Sequence, residues 1–175
     1  MYEASTKDRA PVASGSRSFF KIVAVLILLL LIAVGWYANQ LVFLVTPEGN
    51  QKQFVFDTSP GGKWHIEFTH SVQKTPVEEF FIINGVDDMV MQYTRYQSLG
   101  VGLPFLPSEG KFTATKDGHF ILEMNRPYKK VQIRTAMEAK PKVYYADQEI
   151  SVYEIYQPGS LVEMSVVKRY RTWFK

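Results

Sequence analysis

The hydrophobic pattern divides the chain in two. From Phe19 to Tyr37 every position is apolar except Lys21, with a leucine-rich centre at Leu28 to Leu31. At about 1.5 Å per residue a helix over this run is roughly 28 Å long, close to the hydrocarbon thickness of a bilayer. Residues 19–38 are therefore expected as a transmembrane helix, preceded by a small, polar, disordered tail over residues 1–18. After Asn39 and Gln40 the pattern shortens to strand length. Leu41–Val45 is apolar and partly β-branched, and reads as a buried first strand. Further strands are expected at Gln53–Phe56, Lys63–Ser71, Val77–Asn84, Met89–Gln97, His119–Met124, Val131–Thr135, Lys142–Ala146, Glu149–Tyr156 and Leu161–Val167. Turn signals separate them: Ser59-Pro60-Gly61-Gly62, Asn84-Gly85, Asp117-Gly118, Asn125-Arg126-Pro127 and Gln157-Pro158-Gly159. No stretch after Tyr37 has helical periodicity. The expected fold is all-β over residues 39–167, an antiparallel β-sandwich or partly open barrel.

The most informative stretch runs from Trp64 to Glu79. Trp64, Ile66, Phe68 and His70 fall on one side of a strand, and His65, Glu67, Thr69 and Ser71 on the other. A polar turn follows, and Glu78 and Glu79 lead into a second apolar strand. Each glutamate starts an apolar row, where a carboxylate is costly unless paired. A His70–carboxylate pair is the natural arrangement, serving either to fix the hairpin or to meet a ligand or partner. The adjacent Ser71 does not make a serine hydrolase, because neighbouring strand residues point to opposite faces and no Gly-x-Ser-x-Gly elbow occurs. His65 and His70 face opposite sides, and neither they nor His119 carry the spacing of a zinc site. No catalytic residue, metal or cofactor is expected. Gly100-Val101-Gly102-Leu103-Pro104 suits a tight loop, either a binding loop or a sheet-to-sheet connection, without the context of a dinucleotide loop. The candidates for contact with a partner or ligand are thus His70, Ser71, Glu78 and Glu79, with Gly100, Gly102 and Pro104.

Charge changes the picture at the two ends. The net charge is +3. Lys7, Arg9, Arg17 and Lys21 precede or begin the apolar run, and Lys168, Arg169, Arg171 and Lys175 crowd the C-terminus. The body between is mildly acidic, which argues against a nucleic-acid partner. Positive charge ahead of the span places the N-terminus in the cytoplasm and the domain outside. Lys21 can snorkel to one membrane surface, while Trp36 and Tyr37 sit where an aromatic belt belongs on the other. The alternative is a cleaved signal peptide, with Ala33 and Gly35 before a cleavage point at Trp36. The uncleaved anchor is preferred because the run is long and bulky aromatics adjoin that point. Residues 168–175 join these cations to Tyr170, Trp173 and Phe174, either a solvated, frayed tail or a segment that touches the membrane surface or a partner's membrane-proximal face. Arg169, Arg171 and Trp173 are its interface candidates. The chain has no cysteine, which removes disulfides and thiolate chemistry.

Phe68-Thr69-His70-Ser71-Val72, Thr75-Pro76-Val77-Glu78-Glu79, the aromatic strand around Tyr93 to Tyr96, the Gly100–Pro104 loop and Asp117-Gly118 together resemble the bacterial family called domain of unknown function 1850 (DUF1850). The resemblance runs from Leu41 to Val167. It implies a small exported domain behind a short hydrophobic N-terminus. It also implies a gene encoded beside those of tripartite (TRAP) transporters of the TAXI type, in which a soluble binding protein delivers organic anions to a membrane component. The expectation is an auxiliary single-pass subunit of the bacterial inner membrane, docking on that component or on the solute-binding protein. The alternative is an independent extracytoplasmic binding module or sensor.

Overall fold

The computed structural model describes residues 15–49, 51–98, 108 and 110–173, with side chains from residue 18 onward. Two compact units result, Met1–Ala38 and Asn39–Lys175. The first holds helix α1, Gly15–Ala38. It begins ahead of Phe19 because Ser16, Arg17 and Ser18 contain no helix breaker. Ser18–Ala38 has a mean hydropathy of 2.7, long and apolar enough to cross a membrane or to serve as a signal sequence. The disordered tail expected over residues 1–18 lies mostly outside the described residues.

The second unit is a sandwich of two antiparallel sheets. The strands are β1 (Leu41–Pro47), β2 (Phe54–Thr58), β3 (Lys63–Thr69), β4 (Pro76–Gly85), β5 (Asp88–Tyr96), β6 (Lys111–Ala114), β7 (Phe120–Tyr128), β8 (Lys130–Arg134), β9 (Lys142–Tyr145), β10 (Gln148–Ile150) and β11 (Leu161–Lys168). One sheet has the order β2-β1-β11-β8, and the larger has β10-β9-β3-β4-β5-β7-β6. A helical turn α2, Val152–Ile155, and a 3-10 turn, Arg169–Thr172, complete the fold. The continuous apolar run of β1 has its predicted consequence. Phe43 and Val45 enter the main core, while Val42 and Leu44 are buried with Val167 in a second cluster.

The core lies where the two sheets face each other. Phe43 of β1 meets Trp64 of β3 at 4.9 Å between ring centroids, and Trp64 stacks on Phe81 of β4 at 4.3 Å. Ile66, Ile83, Met89, Met91, Met164 and Val166 fill in around them. The alternation predicted for β3 is therefore realised, with Trp64 and Ile66 buried and His65 and Glu67 facing outward.

Four expectations need correction. Asn125-Arg126-Pro127 is not a turn but the end of β7, where Pro127 pairs with Val90. A proline is tolerated there because β6 pairs β7 only as far as Glu123, leaving the other edge open. The hairpin signalled by Asn84-Gly85 turns one step later, at Val86-Asp87, with Gly85 opposite Asp88 and Asp87 at φ 51°. Burying Ile83 opposite Met89 sets that register. Glu149–Tyr156 is a short strand followed by a helical turn, so Val152 and Tyr156 share a buried side through helical rather than strand spacing. Strand β6 was not anticipated, because it is only four residues long and all four are exposed.

Antiparallel pairing sorts the connections into two ends. At the Asn39 end lie the Ser59–Gly62 loop, the Val86-Asp87 turn, Lys129, Ala146-Asp147 and the end of β11. At the other end lie the His70–Thr75 turn, the turn before Phe120, the Ala136–Lys140 turn and Gln157–Ser160.

Candidate functional site

The His70–Thr75 turn is built around the His70 ring. The His70 N–H donates to the Thr75 carbonyl at 2.8 Å, and Lys74 N–H donates back to the His70 carbonyl at 2.9 Å. Inside this loop His70 Nδ1 accepts from the N–H groups of Val72 (3.3 Å) and Gln73 (3.2 Å). An acceptor at Nδ1 puts the proton of the neutral ring on Nε2. The side chain is buried, and Lys74 takes a left-handed φ of 55° to close the loop. Thr75 Oγ1 lies 3.1 Å from Ser98 Oγ, tying the turn to the end of β5, and Ser71 is exposed on its rim.

Among the described residues, neither Glu78 nor Glu79 makes the expected pair with His70. Glu78 stands directly opposite Glu67 and Arg95, and its carboxylate accepts a short hydrogen bond from Arg95 Nε. Glu79 stands opposite Ile66 and Thr94, on the core side of β4, with no hydrogen-bond partner among the described residues. Burial holds its carboxyl above the usual range, partly offset by the charge of Arg126. The partners of His70 Nδ1 are backbone amides two and three residues away rather than a carboxylate. Sequence spacing could not decide between them.

The structure shows a further arrangement on the outward face of the large sheet. Tyr144, His65, Phe80 and Tyr93 are consecutive cross-strand partners on β9, β3, β4 and β5. Their rings stack in series: Tyr144 to His65 at 4.4 Å, His65 to Phe80 at 4.8 Å, and Phe80 to Tyr93 at 4.3 Å, with interplanar angles of 7°, 22° and 16°. Each such pair contributes about 0.5–1.5 kcal/mol beyond its area burial. A cleft of about 410 Å³ follows this ladder, lined also by Lys63, Gln92 and Ala146.

A row of charges runs beside the rings: Lys142, Glu67, Glu78 and Arg95, again in cross-strand register. The two facing glutamates repel. Arg95 relieves one, and the Tyr144 hydroxyl donates to Glu67 Oε2 at 3.3 Å. Lys142 turns to Glu149 of β10 at 2.9 Å. Burial lowers the His65 pKa below its ordinary value, overcoming the opposing pull of Glu78 and Glu67. Burial and the Glu67 charge push the Tyr144 hydroxyl up to about 12. At neutral pH the ladder is therefore an uncharged aromatic strip bordered by fixed charges. The sequence carried a signal for it: once Glu67 is set opposite Glu78, His65 falls opposite Phe80.

The remaining sequence candidates are spread over the molecule. Gly100, Gly102 and Pro104 lie outside the described residues. Lys21, Trp36 and Tyr37 belong to α1 and are exposed. Arg169 and Arg171 lie in the C-terminal 3-10 turn, with Trp173 just after it, at the Asn39 end of the sandwich. Among the described residues, no three His, Asp or Glu side chains come together as a metal site.

Fold and surface together define a small antiparallel β-sandwich, preceded by one apolar helix, with an aromatic ladder on its larger sheet. The chain belongs to the family described as domain of unknown function (DUF1850), whose model matches residues 65–152, just over half of the 175 residues. The match is narrower than Leu41–Val167: it leaves out β1, β2 and β11 but includes all four rings of the ladder. No curated protein and no solved structure matches the chain.

Proposed function

We propose that this protein is a non-catalytic auxiliary subunit of a TAXI-type tripartite transporter for organic anions. In this reading α1 is a retained anchor in the bacterial inner membrane, with the N-terminus in the cytoplasm and the sandwich outside. The aromatic ladder is the docking face, meeting the membrane component or the solute-binding protein. The observation that carries the reading is the ladder itself: four stacked rings on an outward sheet face, flanked by charges already in register. Interfaces concentrate such aromatics at their centre and place charges at the rim. The cleft of about 410 Å³ favours a second reading, an independent module that binds a solute against the rings.

Purification of the full chain from detergent-solubilised membranes, followed by mass spectrometry, separates the two. Recovery of transporter subunits in stoichiometric amount is the expected result. Recovery of the protein alone, under conditions that keep the transporter assembled, would reject the subunit reading in favour of the binding module.

A further inference from the structure

The 3-10 turn Arg169–Thr172 is held against the place where the chain enters the sandwich. Lys168 is the register partner of Leu41. Lys168 Nζ donates to the Asn39 carbonyl at 2.8 Å, and Arg169 N–H donates to the Gln40 carbonyl at 2.9 Å. The Arg169 side chain is largely covered and pairs with Asp57. The Thr172 hydroxyl donates to the Arg169 carbonyl at 2.8 Å and closes the turn. These bonds use the backbone and the side chains of Lys168, Arg169 and Thr172, and leave Tyr170, Arg171 and Trp173 exposed. Tyr170 is 41% exposed and Trp173 49%, with Arg171 exposed between them. Asn39 follows Ala38 of the apolar helix directly in the chain.

From this we infer that residues 170–173 form a lipid-contacting foot, in which Trp173 and Tyr170 enter the membrane interface and Arg171 meets anionic phospholipid headgroups. The inference rests on the reading of α1 as a retained span, which tethers Asn39, and with it the turn, at a bilayer surface. Tethering makes docking intramolecular, so weak contacts suffice. Tryptophan and tyrosine prefer the headgroup level, and arginine joins planar, bidentate pairs with phosphate. The charges at this end are mixed, which limits the attraction. Lys63 and Lys129 add to the tail's cations, Lys130 is paired with Glu163 at 2.9 Å, and Asp57, Asp87, Asp88 and Asp147 oppose them. Asp57 is already neutralised by Arg169, and Asp88 accepts from Asn84 at 3.3 Å. The partner fitted is a lipid surface rather than a protein groove, because the outward groups are two amphipathic rings and a cation on a single short turn.

The test uses the full chain in lipid nanodiscs of phosphatidylcholine, with or without phosphatidylglycerol, and dibrominated lipid as a fluorescence quencher. A Trp36→Phe background leaves Trp173 as reporter, since Trp64 is buried at 2% exposure. The expected result is quenching that disappears with Trp173→Phe and deepens with phosphatidylglycerol. Arg171→Gln should lower the docked-to-undocked ratio about fivefold, corresponding to ~1 kcal/mol per basic residue near an anionic surface. Equal quenching with and without Trp173, in protein shown by intact mass to retain α1, would overturn the foot alone. Quenching indifferent to phosphatidylglycerol would overturn the headgroup assignment. Protection of Trp173 only when a transporter is reconstituted alongside would replace lipid with a protein partner. A mature chain lacking α1 would overturn the anchor and the foot together.

Discussion

His70 fills its own turn, so the effect of replacing it depends on whether an acceptor remains where Nδ1 stood. His70→Ala leaves the Val72 and Gln73 N–H groups without their partner and should cost about 1–3 kcal/mol in chemical denaturation. His70→Asn places an amide oxygen at nearly the same reach and should recover most of that loss. Equal destabilisation by both changes would show that ring packing, not the acceptor, holds the turn. Glu79 gives the opposite sign. Its folded pKa lies above the ordinary 4.5, because burial disfavours the charged form. The folded state therefore takes up the proton more readily than the unfolded chain. That stabilisation is full below pH 4.5 and is lost as pH rises through the folded value. Glu79→Gln mimics the protonated carboxyl and should raise the melting temperature at neutral pH. Its advantage should vanish in acid below the unfolded pKa, and a variant no more stable at neutral pH would contradict the assignment. The sequence showed that a carboxylate on the Val77–Phe81–Ile83 row would be costly. It did not show that the cost is left standing.

At the scale of elements the ladder makes a pH-dependent prediction. The folded pKa of His65 is depressed below 6.5 by burial between Phe80 and Tyr144. The unfolded chain then protonates first, and stability falls as pH drops from 6.5 through the folded value. Glu79 pulls the other way over its own range, so the comparison must be with a variant that differs only at this ring. His65→Phe keeps the stack and removes the titration. Denaturation midpoints between about pH 7.5 and about pH 5 should fall less steeply in that variant than in the parent. Parallel slopes would mean that the His65 proton is not coupled to folding. Strands β1, β3, β4, β5 and β11 were legible because alternation or a continuous apolar run marks each one. The β6 strand and the α2 turn were not. The first has no buried face, and at the second Val152 and Tyr156, four apart, fit strand and helical spacing alike. The ladder was hidden for a different reason. Each ring is an ordinary outward residue of its own strand, and only the pairing of four strands makes a surface of them.

Among its described residues, the sandwich carries the candidate features at three places. The His70 turn lies at one end of the sandwich, the Arg169–Thr172 turn at the other, and the ladder on the broad face between them. Among the described residues of the sandwich, the sequence candidates His70 and Ser71 lie at one end and Arg169, Arg171 and Trp173 at the other, Glu78 borders the ladder, and the four rings themselves were missed. A single chain gives end loops their polar motifs directly, but gives a sheet face only through registers set by tertiary pairing. The central claim is that the ladder meets a TAXI-type transporter, and crosslinking in living cells tests it most directly. A photoreactive phenylalanine analogue replaces Tyr93 on the ladder or, as the control, Val55 on β2 of the other sheet, which is 41% exposed. The account predicts a crosslink from position 93 to the transporter's membrane component or solute-binding protein, and little or none from position 55. Crosslinks to those subunits from position 55 but not from position 93, or from neither, would contradict it.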